Sequence, residues 1–322
     1  MKTRTLAFAV LLLPALAACD RPDAPGAAPP ASADTAPEFR QAHAAWARQR
    51  ADELNKPDGW TSLIGLHWVE ADRQRVGGGA QDDIRLAIAP PHLGTLERRA
   101  DGVYFTADAA AAITVDGRPL QGEVALRPEG RDGGTQLGYD DGKGRISLIR
   151  RGDRLGLRVR HADAPARLQF AGLDFFAPDP AWRVQARFVA HPPGTTLPIA
   201  NIIGDINDTP NPGYVEFDKD GHRWRLEALG DPQQGLSLNF QDRTSGRETY
   251  AVGRYLQTGP VADDATVVVD FNRAYNPPCA YTAYATCPLP PPGNRLAQRD
   301  ADGRTVRLAV LAGEKAYAGA RH

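Results

Sequence analysis

The sequence predicts a mainly β protein with one N-terminal helix and two β-rich units, and three observations carry that expectation. Apolar residues recur in short alternating runs bounded by Asp-Gly, Gly-Gly and Pro-Pro pairs, the pattern of antiparallel strands joined by tight turns. The 322 residues include 32 glycines and 27 prolines, too many helix breakers for an all-helical bundle. A hydrophobic share of 42% with 24% charged residues is that of a folded chain long enough to bury two cores. Charge is balanced, 38 basic against 39 acidic side chains, so no long-range field favours nucleic acid, which is not expected as a partner.

Residues 1–18 read as a secretory signal peptide. Lys2 and Arg4 precede the apolar run Leu6–Leu13, which is too short to span a bilayer, and small residues follow before the expected cut. Leu16-Ala17-Ala18-Cys19 resembles the bacterial lipobox, which implies that Cys19 is acylated and becomes the new N-terminus. The membrane is then a partner through that lipid, and the expected location is the cell envelope, as a periplasm-facing lipoprotein. Asp20 resembles an inner-membrane retention signal and favours the inner membrane, with the choice of membrane left open. From Cys19 to Ala36 the chain is almost entirely Pro, Ala, Gly, Asp and Ser, a composition that cannot bury a core and reads as a flexible tether.

The next span, 37–178, is expected to hold a helix and a β-sandwich. Thr35, Pro37 and Glu38 form a helix start before Phe39, His43, Trp46 and Leu54, which fall near one helical face; Lys56-Pro57-Asp58-Gly59 ends it. His43 reads as a face residue beside Trp46. Candidate strands follow around Trp60–Val69, Asp83–Ile88, Gly102–Phe105, Ile113–Gly117, Arg145–Arg150 and Leu155–Arg160. Their order, with a glycine-rich turn at Val76–Gly79 and a Val-Asp-Gly hairpin, resembles a forkhead-associated β-sandwich. The arginine that reads phosphothreonine in that family is missing from the glycine-rich turn, and His92 after Pro90-Pro91 is a poor substitute for the family's serine-to-histidine pair. Only the sandwich is therefore carried over.

The span 179–322 is expected to be an antiparallel β-meander or barrel-like unit. Its candidate strands are Trp182–Val189, Leu197–Ile203, Gly213–Asp218, His222–Leu229, Leu236–Gln241, Thr249–Leu256, Ala265–Phe271 and Thr305–Leu311, with hairpin turns at Asp218-Lys219-Asp220-Gly221 and Asp242–Gly246. A closed meander of this kind leaves a mouth suited to a ligand; an open sheet packed on the first unit is the alternative.

The densest chemistry lies in Asp270–Leu296, where a strand ends in polar residues and enters a proline-stiffened loop carrying Cys279 and Cys287. In an oxidising compartment two cysteines at this spacing can pair if the loop doubles back. A metal site would need one or two further donors, such as His222 or His67 from elsewhere; a reactive thiol lacks a base visible in the sequence, and two buried unpaired cysteines are the remaining reading. Lipidation of Cys19 accounts for the odd total of three cysteines.

The tract DFNRAYNPPCAYTAYATCPLPPPGNRL resembles the bacterial domain-of-unknown-function family 1684. So do Ala312-Gly313-Glu314, Asp242 with Thr244-Ser245-Gly246, Thr249-Tyr250, Gly253-Arg254-Tyr255 and, near the start, Gly59-Trp60 and Gly65-Leu66. The resemblance implies an uncharacterised lipoprotein and brings no activity or cofactor with it.

Several polar residues sit at expected strand ends: Asp242, Glu248, Arg254, Asp270, Asn272, Asn276, Asn294 and Glu314. If they meet at one mouth, Asp270 or Glu314 is the candidate general base, Arg254 orients an anionic substrate, and Asp242, Tyr250, Asn272, Tyr275, Asn276 and Asn294 are candidate ligand contacts. The competing reading is that the Asp and Asn residues fold turns and that Arg254 pairs with a buried carboxylate. There is no G-x-S-x-G elbow, Walker loop, dinucleotide fingerprint or H-E-x-x-H. Three functions stay in view. The first is an envelope lipoprotein that binds a small molecule or envelope component at the second β unit. A hydrolase or metal-assisted enzyme using Asp270, Asn272, Asn276 and Glu314 is the next, followed by a structural partner of another envelope protein.

Overall fold

The computed structural model describes residues 36–130 and 133–319. The signal peptide, Cys19 and the tether expected from the sequence lie outside the described residues. Helix α1 covers Ala36–Leu54. It stops where Gly59 folds back on it: a Cβ at Gly59 would lie 2.3 Å from the Leu54 carbonyl oxygen, so the turn admits only glycine. Among the described residues no helix is long and apolar enough to cross a membrane.

The first β unit is a sandwich of two sheets. One orders the strands Leu63–Trp68, Arg154–His161, Gly144–Arg151, Gln136–Tyr139, Thr114–Val115 and Arg118–Pro119; the other orders Ile84–Arg85, Arg73–Gly77, Gly94–Arg99, Gly102–Ala107 and Glu123–Leu126. Alternate residues point inward, so Ile146, Leu148, Leu157 and Val159 of the first sheet meet Val76, Leu96, Val103 and Phe105 of the second in one core. Sequence reading missed Arg73–Gly77, Gly94–Arg99, Glu123–Leu126 and Gln136–Tyr139. Arg73–Gly77, Gly94–Arg99 and Gln136–Tyr139 are rich in polar or glycine residues, and Glu123–Leu126 is only four residues long; in Gly94–Arg99 the only buried apolar side chain is Leu96.

The glycine-rich turn is tightly packed against the segment 89–92. A Cβ at Gly78 would lie 2.1 Å from the Ala89 carbonyl oxygen, which leaves no room for a longer side chain. The turn is held by buried Asp82, whose carboxylate accepts the Gly79 and His92 amides at 2.8 and 3.2 Å and meets His92 Nδ1 at 2.8 Å. These bonds hold the Asp82 carboxyl below its ordinary range against the opposing effect of burial.

The second unit is a six-stranded antiparallel sheet in the order Arg254–Gln257, Gly235–Phe240, His222–Asp231, Gly213–Lys219, Arg183–Ala190 and Thr266–Asp270. It curls into a half-barrel. Its concave side is packed rather than hollow: Phe271 is fully buried, with ring centroids of Phe217 and Phe240 at 5.4 and 5.5 Å, and Leu296, Leu308, Val310 and Ala312 complete the core. The ligand-binding mouth expected of a closed barrel is thus filled by side chains. Two expected strands shrink. Thr305–Leu311 pairs only over Thr305–Arg307, with Ala297–Arg299, because the segment beyond turns its carbonyls to Arg254. Thr249–Leu256 pairs only from Arg254, because Thr249 closes the turn around Thr244. Leu197–Ile203 becomes a separate hairpin, Thr196–Ala200 with Ile206–Pro210.

Chain order groups α1 with the sandwich, but its polar contacts run to the second unit. His43 Nε2 meets the Asn272 carbonyl oxygen at 3.0 Å, and Arg50 reaches Glu314 and the Asn276 carbonyl, each at 2.8 Å. Phe39, His43, Trp46, Arg50 and Leu54 form the stripe that does this, spaced by three or four residues.

Candidate functional site

The two edge strands of the half-barrel, Arg254–Gln257 and Thr266–Asp270, do not pair with each other. A cavity of about 350 Å³ opens at this seam, with Gln257, Thr258 and Gly259 on one side and Arg183, Val268, Asp270 and Arg273 on the other. Helix α1 roofs it through Phe39, Ala42 and His43. Asp270 is the candidate base that reaches this cavity. Its Oδ1 accepts the Asn272 amide at 3.1 Å and Asn272 Nδ2 at 2.9 Å, which caps the turn after the strand and leaves Oδ2 loosely placed 3.9 Å from Arg273 Nε. Burial pushes the His43 imidazole below its ordinary range, so it stands neutral at pH 7. With its acceptor a carbonyl, Nε2 carries the proton and donates it to Asn272.

The remaining candidates do not share this cavity. Fully buried Asn272 spends its side chain on the Asp179 backbone, accepting from the amide and donating to the carbonyl at 2.9 Å each, which clips the entry of the unit to the end of its last sheet strand. Glu314, 1% exposed, is saturated with donors: Asn276 Nδ2 and the Tyr281 hydroxyl on Oε1, Arg50 Nε and the Asn276 amide on Oε2. Burial works against the Arg50 charge, but Glu314 and Tyr281 more than offset it and hold its pKa above the ordinary value. Burial, then the Glu314 charge, pushes the Tyr281 hydroxyl well up. A carboxylate so enclosed has no lone pair free to take a substrate proton, which removes the basis for Glu314 as a general base.

Arg254 and Asp242 form a second enclosed pair at 3.2 Å. Asp242 Oδ2 also accepts the Val310 amide at 2.7 Å, and Oδ1 gathers Thr244 and Ser245. Arg254 spends its other donors on the carbonyls of Val310, Ala312 and Glu314. Burial lowers its pKa and Asp242 opposes that. Arg254 therefore pins the C-terminal segment and is not free to orient a substrate, which is the buried-carboxylate alternative raised by the sequence. Asn294 splices two strands, accepting the Glu227 amide at 2.7 Å and donating to the Glu227 and Asn239 carbonyls at 2.9 Å each. Tyr250 donates to the Cys279 carbonyl at 3.0 Å, and Tyr275 lies under the Arg50 guanidinium, 4.4 Å from its centroid.

Cys279 and Cys287 lie side by side as buried thiols, with the Cys279 amide 3.2 Å from Cys287 Sγ. Hydrogen bonding to Cys279, then burial, pushes the Cys287 thiol far up, so it is not an ionised nucleophile at neutral pH. The cluster with metal-ligand spacing among the described residues lies elsewhere, at Asp140, His161 and Asp163. There His161 Nδ1 accepts the Asp163 amide at 3.0 Å and Nε2 faces Asp140 at 3.1 Å. A metal on Nε2 would need the other nitrogen protonated, and the amide already occupies that side, so this cluster is an Asp-His hydrogen-bond pair.

Sequence reading missed Arg50, Arg183 and Arg273, and gave His43 only a packing role. A signal existed for the first: Arg50 continues the stripe of His43 and Trp46 by one turn, an unusual charge on an apolar face.

The fold and site define a two-unit β protein whose second unit is locked by buried arginine-carboxylate pairs and opens at one helix-roofed seam. Over residues 168–315 the chain belongs to the family described as "Protein of unknown function (DUF1684)". Gly59-Trp60 and Gly65-Leu66 fall outside the matched residues. A solution NMR structure of an uncharacterized protein of Haloarcula marismortui is 33% identical, over 46% of this chain and 78% of that one, with a TM-score of 0.37. No curated protein matches.

Proposed function

We propose that the protein is an envelope lipoprotein, anchored through Cys19, that binds a small molecule at the seam of its second β unit. The carrying observation is the 350 Å³ cavity, of the size that takes a small ligand, formed where the half-barrel fails to close. Its polar lining of Arg183, Arg273, Asp270, Gln257 and neutral His43 suits a polar ligand with an anionic group. The cheapest discriminating variant is Val268→Trp, which adds bulk at the cavity wall without touching the buried pairs. In a thermal-shift screen of sugars, amino acids and envelope fragments, at least one compound should raise the Tm of the wild type and leave Val268→Trp unmoved. A screen without a hit, or an equal rise in both proteins, argues against the seam.

A hydrolase is the second reading, favoured by one fact: Asp270 is the candidate carboxylate that reaches the cavity. Glu314 and Asn276 drop out of that reading because each is engaged inside the fold. The same screen followed by product analysis separates the two, since a hydrolase consumes its hit and Asp270→Asn stops that consumption.

A further inference from the structure

The outer face of the six-stranded sheet in the first unit carries an arginine cluster that no part of the proposed function uses. Arg158 and Arg160 alternate with core-facing Leu157 and Val159, so both project away from the sandwich core toward the cysteine loop of the second unit. Arg151, from the paired strand, donates from Nε to Thr286 Oγ1 at 2.6 Å, placing its guanidinium beside that loop. The Arg158 and Arg160 side chains are 7% and 15% exposed. Trp60 covers both, 5.5 and 5.8 Å from the two guanidinium carbons.

Among the described residues, charge on this face does not balance. Glu129 is the carboxylate that answers the cluster: it takes Arg158 Nη1 and the Ser147 hydroxyl, and lies 3.6 Å from Arg160 Nη1. Nearby Arg145 is spoken for by Asp58 at 2.8 Å. Arg158 and Arg160 thus share one carboxylate that is itself a third exposed, while Arg151 binds only the neutral acceptors Thr286 and the Arg150 carbonyl. The donors do not balance either. The Nε atoms of Arg158 and Arg160 are buried without a hydrogen-bond partner. A buried guanidinium N–H without an acceptor is costly, and a missing anion is one of the few explanations for two in one place.

We propose that Arg151, Arg158 and Arg160 form a binding site for a small oxyanion of phosphate or sulfate size at the junction of the two units. The Nε and Nη edge of a guanidinium is a two-pronged donor that matches adjacent oxygens of such an ion, and in Arg158 and Arg160 the Nε prong is the unfilled one. The Nε atoms lie covered by Trp60 and the cysteine loop, so an ion reaches them only as that cover gives way, which favours a small free ion over a larger phosphate ester. Repulsion supports the assignment: burial, then Arg160 and Arg151, pull the Arg158 pKa down to about 10 despite Glu129 and Cys287, a penalty that an anion relieves. The site is separate from the seam cavity, so its failure would leave the small-molecule reading untouched.

The probe is inorganic phosphate, titrated calorimetrically into the intact chain against chloride at matched ionic strength, with sulfate as a second arm. One saturable site is expected, weakened at least tenfold in Arg151→Gln and in Arg160→Gln and unchanged in Arg154→Gln, an exposed arginine of the same hairpin. Hydrogen exchange on the wild type reads the same site without a variant: phosphate should slow amides of residues 147–160 and 282–288 selectively. No saturable binding of either ion, equal loss in Arg154→Gln, or protection confined to other segments would overturn the site.

Discussion

Asp242 and Glu314 are both buried, and each faces an arginine that is itself mostly or wholly out of water. Pairs of this kind contribute little net stability when whole, because desolvation of both charges offsets their attraction, yet removing one partner strands the other. Asp242→Asn is therefore expected to lower stability by about 3–5 kcal/mol, through uncompensated Arg254 and the lost acceptor for Val310. The urea midpoint of the variant measures it. A shift of a few tenths of a kcal/mol would mean that the Val310, Ala312 and Glu314 carbonyls suffice to hold the guanidinium. At this scale the sequence singled out Asp242, Arg254 and Glu314 as polar residues at strand ends and could not say what they face. Asp270 and Glu314 read alike as carboxylates next to strand ends, and only the enclosure of Glu314 by Arg50, Asn276 and Tyr281 separates them.

Helix α1 was legible because its apolar stripe and its stop signal are local. Its partner was not, since the stripe says which face is buried and nothing about which surface buries it. The contacts of His43 with Asn272 and of Arg50 with Glu314 span more than two hundred residues of chain. Ala45 points to solvent, so Ala45→Pro breaks the helix at a cost of about 3 kcal/mol or more while removing no contact of its own. Hydrogen exchange is expected to rise in the segment 271–281 of the second unit more than in the sandwich strands. Equal loss in both units would assign the helix to neither. The missed strands have the opposite cause. Arg73–Gly77 and Gly94–Arg99 are half-solvated, and their alternation is visible only once the opposite sheet shows that Val76 and Leu96 face inward.

Across the whole molecule the two units meet through the cysteine loop, where Thr282 donates to the Leu63 carbonyl at 3.1 Å and Arg151 donates to Thr286. The loop also packs Tyr281, Ala285 and both cysteines against Leu54 and Tyr250 in a core of their own. A seam with its own apolar core should make the units unfold together. Calorimetry is expected to show one transition, with the calorimetric and van't Hoff enthalpies in a ratio of about 1. Two resolved transitions would show that the cysteine loop belongs to the second unit alone.

The sequence by itself determined the β class, the N-terminal helix, the two successive β units and the residues of the family tract, because strand alternation, turn glycines and prolines, and cap positions are all written within a few neighbours. Tertiary structure alone decided that the barrel interior is packed by Phe271, that the open space lies instead at the edge-strand seam under α1, and that Arg158 and Arg160 are left with unfilled donors. Those facts depend on which distant groups approach one another and which water is displaced, and no local pattern encodes either.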